Sequence, residues 1–214
     1  ITRFDFVAFD EIQTMKFVDP GQIQTALKDY MEFGEVKGFD AKMEADAGIV
    51  VLGNVDAEKF NTKLNMVDEI NPMFRESATL DRFHGLIPGW EIPRMHQGLV
   101  ADGWALNTEY FAEVLHLLRD EMQYAAIVDE CLDIPDKPDM RDLTAIKRLC
   151  TAYVKLIFPH ATCKADIPPE EFIKYCLEPA IEMRQGIKNQ LCAVDPKEFD
   201  VPGKRTVPDI TYKY

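Results

Sequence analysis

The chain has 214 residues, 47% of them hydrophobic and 29% charged, with a formal net charge of −13. That size and balance suit one large or two small globular domains. The charge argues against surface-wide binding to nucleic acid, though not against a local basic loop.

No run of about 18 apolar residues is present, so neither a transmembrane helix nor a membrane partner is expected. No signal peptide is visible, and the first residue is not Met. The chain therefore reads as a fragment or processed form of a cytoplasmic protein. Five cysteines (Cys131, Cys150, Cys163, Cys176, Cys192) are odd in number and form no C-x-x-C. They read as reduced thiols filling the core, not as a disulfide frame or a zinc site.

In chain order, FDFVAF (4–9) is a short apolar run of the kind that forms a buried strand of a parallel sheet. PGQIQTALKDYMEFG (20–34) opens on Pro-Gly, places Ile23, Leu27, Tyr30 and Met31 at helical spacing and closes on Gly34. VKGFDAKMEADAG (36–48) reads as a hairpin or long loop. GIVVLGNV (48–55) is a second buried strand. Strand, helix, strand is the logic of an α/β sheet.

Beyond about residue 98 the pattern is helical throughout. A single helix is predicted over 107–128, with Phe111, Val114, Leu115, Leu118 and Met122 on one stripe. DIPDKPDM (133–140) breaks it. The next helix starts at an Asp139 N-cap, with Asp142 three residues on in a box-like arrangement, and stops at Pro159. A last helix is predicted from near Pro168 to about Gln190, disturbed at Pro179. Three prolines (Pro196, Pro202, Pro208) make the final segment an extended tail or linker.

Asp10 and Glu11 end the first strand. In an open α/β sheet that end faces the ligand crevice. Hydrophobic residues followed by Asp-Glu form the Walker B pattern: the first acid can hold Mg²⁺ and the second can orient an attacking water. The plainer reading is a solvated strand end. Asn54 ends the second strand as a neutral sensor or as an ordinary Gly-Asn turn residue. Arg82, in TLDRFHG, can reach a neighbouring subunit's γ-phosphate or form a surface pair with Asp81. Arg141 sits in the first turn of its helix, where a cation opposes the helix dipole.

Taken in order, these residues resemble the second half of an AAA+ ATPase. The resemblance is to the MCM helicase subclass, with Walker B, presensor hairpin, sensor 1, arginine finger and the R-D-L-T-A-I-K-R-L sensor 2 run. DRFHGLIPGWEIPRM (81–95), GWALNTEYF (103–111) and IKRLCTAYVKLIFP (146–159) are similar to the BrxL family, Lon-related, MCM-like AAA+ proteins of BREX phage defence. The resemblance covers about 4–192.

It implies the C-terminal portion of an AAA+ α/β nucleotide-binding domain (1–97), a helical lid domain (98–192) and a tail (193–214). It also implies an ATPase using ATP and Mg²⁺. Asp10 would assist Mg²⁺ and Glu11 the water; Asn54 would be sensor 1, Arg82 the arginine finger and Arg141 sensor 2. The assembly would be a homo-oligomeric ring, a hexamer or related form, with sites between subunits. The hairpin would face a pore, where Lys37 and Lys42 contact DNA phosphates. Other BREX components are possible partners.

Two departures stand out. No G-x-x-x-x-G-K-[ST] occurs, so the phosphate loop is expected upstream of residue 1 and the chain alone is expected to be inactive. Asp81 stands where MCM proteins carry Ser, which leaves Arg94 as the reserve finger. Rival readings are the motor of a Lon-type protease and a non-catalytic assembly module. A metal site at Glu113-x-x-His116 would need a second such motif, and none is seen.

Overall fold

The computed structural model describes residues 5–37, 42–55 and 66–214. The chain divides into two compact units, Ile1–Phe83 with Gln185–Thr206, and His84–Arg184 with Val207–Tyr214.

In the first unit β1 (Phe6–Phe9) is followed by α1 (Pro20–Phe33), the hairpin strands β2 (Glu35–Lys37) and β3 (Lys42–Glu44), and β4 (Gly48–Val51). β1 pairs with β4 in parallel, Phe6 opposite Gly48 and Phe9 opposite Val51. The helix and hairpin are therefore the crossover between neighbouring parallel strands. Local chemistry sets the ends of α1. Asp19 accepts from the Gln22 amide at 3.0 Å, Pro20 stands in the first turn, and Gly34 adopts φ 67° while donating to the Tyr30 carbonyl.

The strands are less buried than their apolar sequence predicts. In each, exposed and half-buried residues alternate, and Phe6 is 63% exposed. The reason is that this sheet has two strands among the described residues, and only the face carrying Phe9 and Val51 packs on the core of Ile12, Met73 and Phe74. The one-turn helix α2 (Ser77–Leu80) buries Thr79 and Leu80.

The second unit is built on α3 (Thr108–Leu118), α4 (Gln123–Cys131) and α5 (Met140–Ile157). The helix predicted over 107–128 is thus two helices. Arg119–Met122 separates them, because Asp120 and Glu121 would add negative charge where the C-terminal dipole already disfavours it. Met122, placed on the apolar stripe, is 75% exposed.

α4 and α5 pack through Tyr124, Ile127, Val128, Ile146, Cys150 and Val154, with Phe172 and Cys176 completing the core. Each such large apolar side chain contributes roughly 1.5–3 kcal/mol on burial. α5 begins at the predicted Asp139 cap, whose carboxylate accepts from the Arg141 and Asp142 amides.

After α6 (Pro169–Phe172) the backbone widens into a π-helical turn, Ile173–Leu177, and continues as α7 (Glu178–Val194). Pro179 lacks the N–H of a regular ladder, and the turn of different pitch lies just before it.

The C-terminal segment is not an extended tail. It forms α8 (Pro196–Phe199), and β6 (Thr211–Tyr212) pairs antiparallel with β5 (Leu132–Asp133). Ile210 and Tyr212 join the second unit's core.

Candidate functional site

The parallel register of β1 and β4 brings their C-terminal ends side by side. Leu52 donates to the Phe9 carbonyl at 2.8 Å and Ile12 donates to the Leu52 carbonyl at 3.2 Å. Asp10 and Glu11 follow β1, and Asn54 follows β4. The Asn54 backbone N–H donates to Gln13 Oε1 at 3.4 Å, so Gln13 links the two strand ends. Nothing in the local pattern marked Gln13 beforehand. Gly53 serves a close approach: a Cβ there would lie 3.1 Å from Ile12 Cγ1.

Glu11 has φ 50°, a left-handed backbone that a long L side chain seldom adopts. Asp10 Oδ1 accepts from the Glu11 amide at 2.7 Å, and the Glu11 carbonyl accepts from the Thr14 amide at 2.9 Å and its hydroxyl at 3.0 Å. The turn thus holds two adjacent carboxylates exposed at the strand end, with Ile12 between them and the core. Carboxylate oxygens are the donors a hard divalent cation takes, but among the described residues no group of three or more His, Cys, Asp or Glu is placed to hold a metal ion, so the pair would supply only part of its ligands. A non-glycine residue held at positive φ is a form of strain that concentrates in functional turns.

Arg82 follows α2 within the same unit. Its Nε lies 3.0 Å from Glu32 Oε2 on α1, and Nη1 donates to the Ala78 carbonyl. The surface pair considered for it was with Asp81; its partner is Glu32, while Asp81 is itself buried. Phe83 packs beside Phe74, ring centroids 6.2 Å apart, which anchors this turn on the Ile12 core. Beside it Lys28 bonds Glu76 at 2.7 Å and holds that carboxyl below its usual range, with a smaller contribution from Thr79.

Arg141 belongs to the second unit, exposed in the first turn of α5. The adjacent Asp142, expected to join a capping box, is fully buried and accepts from Arg184 Nε at 2.8 Å. Nearby, Arg148 Nη1 lies 3.0 Å from His84 Nε2. Burial first, then the Arg148 and Arg184 charges, push His84 down to about 4. The imidazole is therefore neutral at pH 7 and accepts from Arg148.

Lys37 and Lys42 are register partners in the β2–β3 ladder, flanking residues 38–41, which lie outside the described part of the chain. Arg94 is exposed, as are Glu113 and His116 on α3. Burial pushes the Cys150 and Cys176 thiols up to about 12, as befits unreactive core residues. Among the described residues no helix is long and apolar enough to cross a membrane.

The family model described as "Lon-like protease BrxL-like, ATPase domain" matches residues 1–203. Among curated proteins, the Lon-like protease BrxL of Escherichia coli O9:H4 (strain HS) is 29% identical over 201 residues, covering 93% of this chain and 28% of that protein. The Lon-like protease BrxL of Bacillus cereus (strain H3081.97) is 30% identical over 204 residues, covering 93% and 29%. The chain thus spans less than a third of the length of these relatives. The mixed helix and sheet described above is compatible with an AAA+-like ATPase domain. On this match, which runs through nearly its whole length, the chain belongs to the ATPase-domain family of the BrxL-like, Lon-like proteases.

Proposed function

We propose that this chain is the C-terminal part of the ATPase module of a ring-forming AAA+ protein that acts on or around DNA in BREX phage defence. The observation that carries the reading is the turn after β1. It presents two carboxylates at the end of a parallel strand, the second at φ 50°, beside the strand end that carries Asn54.

Asp10 is the residue that would hold Mg²⁺, directly or through water, and the bound ion would neutralise charge developing on the transferred phosphoryl group. Glu11 orients the attacking water and accepts its proton. Asn54 donates to the same water or to the phosphate from the adjacent strand. Arg82 and Arg141 act in trans, supplying positive charge to a neighbouring subunit's nucleotide. Lys37 and Lys42 lead the hairpin towards DNA phosphates in a central pore. A cytoplasmic location and other BREX components as partners complete the proposal.

Glu11→Gln in the whole protein tests it. Turnover should fall by at least about two orders of magnitude, the scale of general-base catalysis, while ATP binding is retained. Unchanged turnover would remove Glu11 from the mechanism. A second reading, the motor of an ATP-dependent protease, draws on the relatives' name, Lon-like protease. ATP-dependent cleavage of an unfolded protein by the whole protein would favour it.

A further inference from the structure

We propose that Glu32 is the positioning residue of the arginine finger, an inference that rests on the reading of Arg82 given above. A guanidinium carries five N–H donors in a planar fork. Here two of its three nitrogens are engaged inside the subunit: Nη1 donates to the Ala78 carbonyl, and Nε stands 3.0 Å from the Glu32 carboxylate. Nε is buried and makes no hydrogen bond, so the ion pair is what compensates its charge.

The side chain keeps 17% of its surface exposed. That exposed part is where an anion brought by a neighbouring subunit would meet the guanidinium, through a charge-assisted hydrogen bond. Glu76, another carboxylate near Arg82, is engaged by Lys28 at 2.7 Å and Thr79 at 3.1 Å. Glu32 reaches Arg82 from α1, the crossover helix that follows the Asp10–Glu11 turn. Geometry at the finger is thereby tied to the element that leaves the catalytic turn.

A misplacement of about 1 Å in a group that meets the transition state can cost on the order of 100-fold in rate. The whole protein with Glu32→Gln should therefore lose roughly 10- to 100-fold in kcat with KM for ATP within about twofold, and Glu32→Asp should restore part of the loss. Three further measurements separate this from general damage. The double variant Glu32→Gln/Arg82→Ala should be no slower than Arg82→Ala alone. Rings mixed from Glu32→Gln and Glu11→Gln subunits should regain turnover, because intact fingers from the Glu11→Gln subunits then face intact catalytic turns. A thermal melt should show Glu32→Gln destabilised by loss of the ion pair yet still fully folded at the assay temperature.

Additive losses in the double variant, or no recovery in mixed rings, would overturn the proposal. So would a Glu32→Gln protein as fast as the parent while Arg82→Ala is dead. If Arg82→Ala itself hydrolyses ATP normally, the fault lies in the assignment of the finger.

Discussion

Glu11 is asked to do two things that conflict. Its backbone at φ 50° suits Gly or Asn, yet the chemistry proposed for it needs a carboxylate on a side chain of this length. The conflict gives a residue-scale prediction. Glu11→Asn, which tolerates the left-handed region, should fold at least as stably as the parent. Glu11→Val, whose branched Cβ fits the left-handed region worse than the unbranched Glu, should be less stable than the parent. Urea denaturation checks both, and both should be inactive in the whole protein. If Glu11→Asn is clearly destabilised, the carboxylate is part of the fold's stability and the case for strain kept for function fails. Asp10 and Glu11 were legible because an apolar run ending in paired acids is a local signal. Glu32 was not, since its meaning depends on Arg82, 50 positions away, and on α1 bringing the two to 3.0 Å.

Among the elements, caps and breakers carried the most information. Gly34 and Asp139 mark helix ends through hydrogen bonds that local sequence decides, and Asp19, not singled out beforehand, caps α1 in the same way. The break between α3 and α4 had a readable cause in Asp120–Glu121, overridden by an apolar stripe that runs on past it. β6 had no local signal at all, because its partner Leu132 lies about 80 residues earlier and pairing across such a span is fixed only by tertiary packing. Asp142 was misplaced for a related reason. Its position three residues after the cap suits a box, but a carboxylate with Arg184 in reach inside the core gains more from a charge-assisted bond there. Breaking that pair should be severe: Asp142→Ala or Arg184→Ala should cost about 3–5 kcal/mol by leaving one buried charge unmatched. The joint replacement Asp142→Leu/Arg184→Met should recover most of that loss, measured by urea denaturation. Additive losses in the double variant would show that the cost is one of shape and not of charge.

For the molecule as a whole, acidification acts with two opposite signs. A net charge of −13 repels itself, so protonating exposed carboxylates relieves strain as pH falls. His84 works against that relief. Its folded value of about 4 lies below the usual 6.5, held there by burial and by the Arg148 and Arg184 charges. Between those values the unfolded chain binds a proton that the folded chain excludes, so stability is lost as pH falls from about 6.5 towards 4, and no further loss comes from this group below that. From pH 7 to pH 5 the difference amounts to at most about 2 kcal/mol. His84→Gln keeps a neutral side chain that can accept from Arg148 but cannot take up a proton. Urea denaturation at the two pH values should therefore show the unsubstituted protein losing more stability than the variant, the gap closing at pH 7. Equal slopes in the two proteins would mean that His84 is protonated in the folded state, with Arg148 swung away from it. A larger loss in the variant would reverse the sign of the argument altogether.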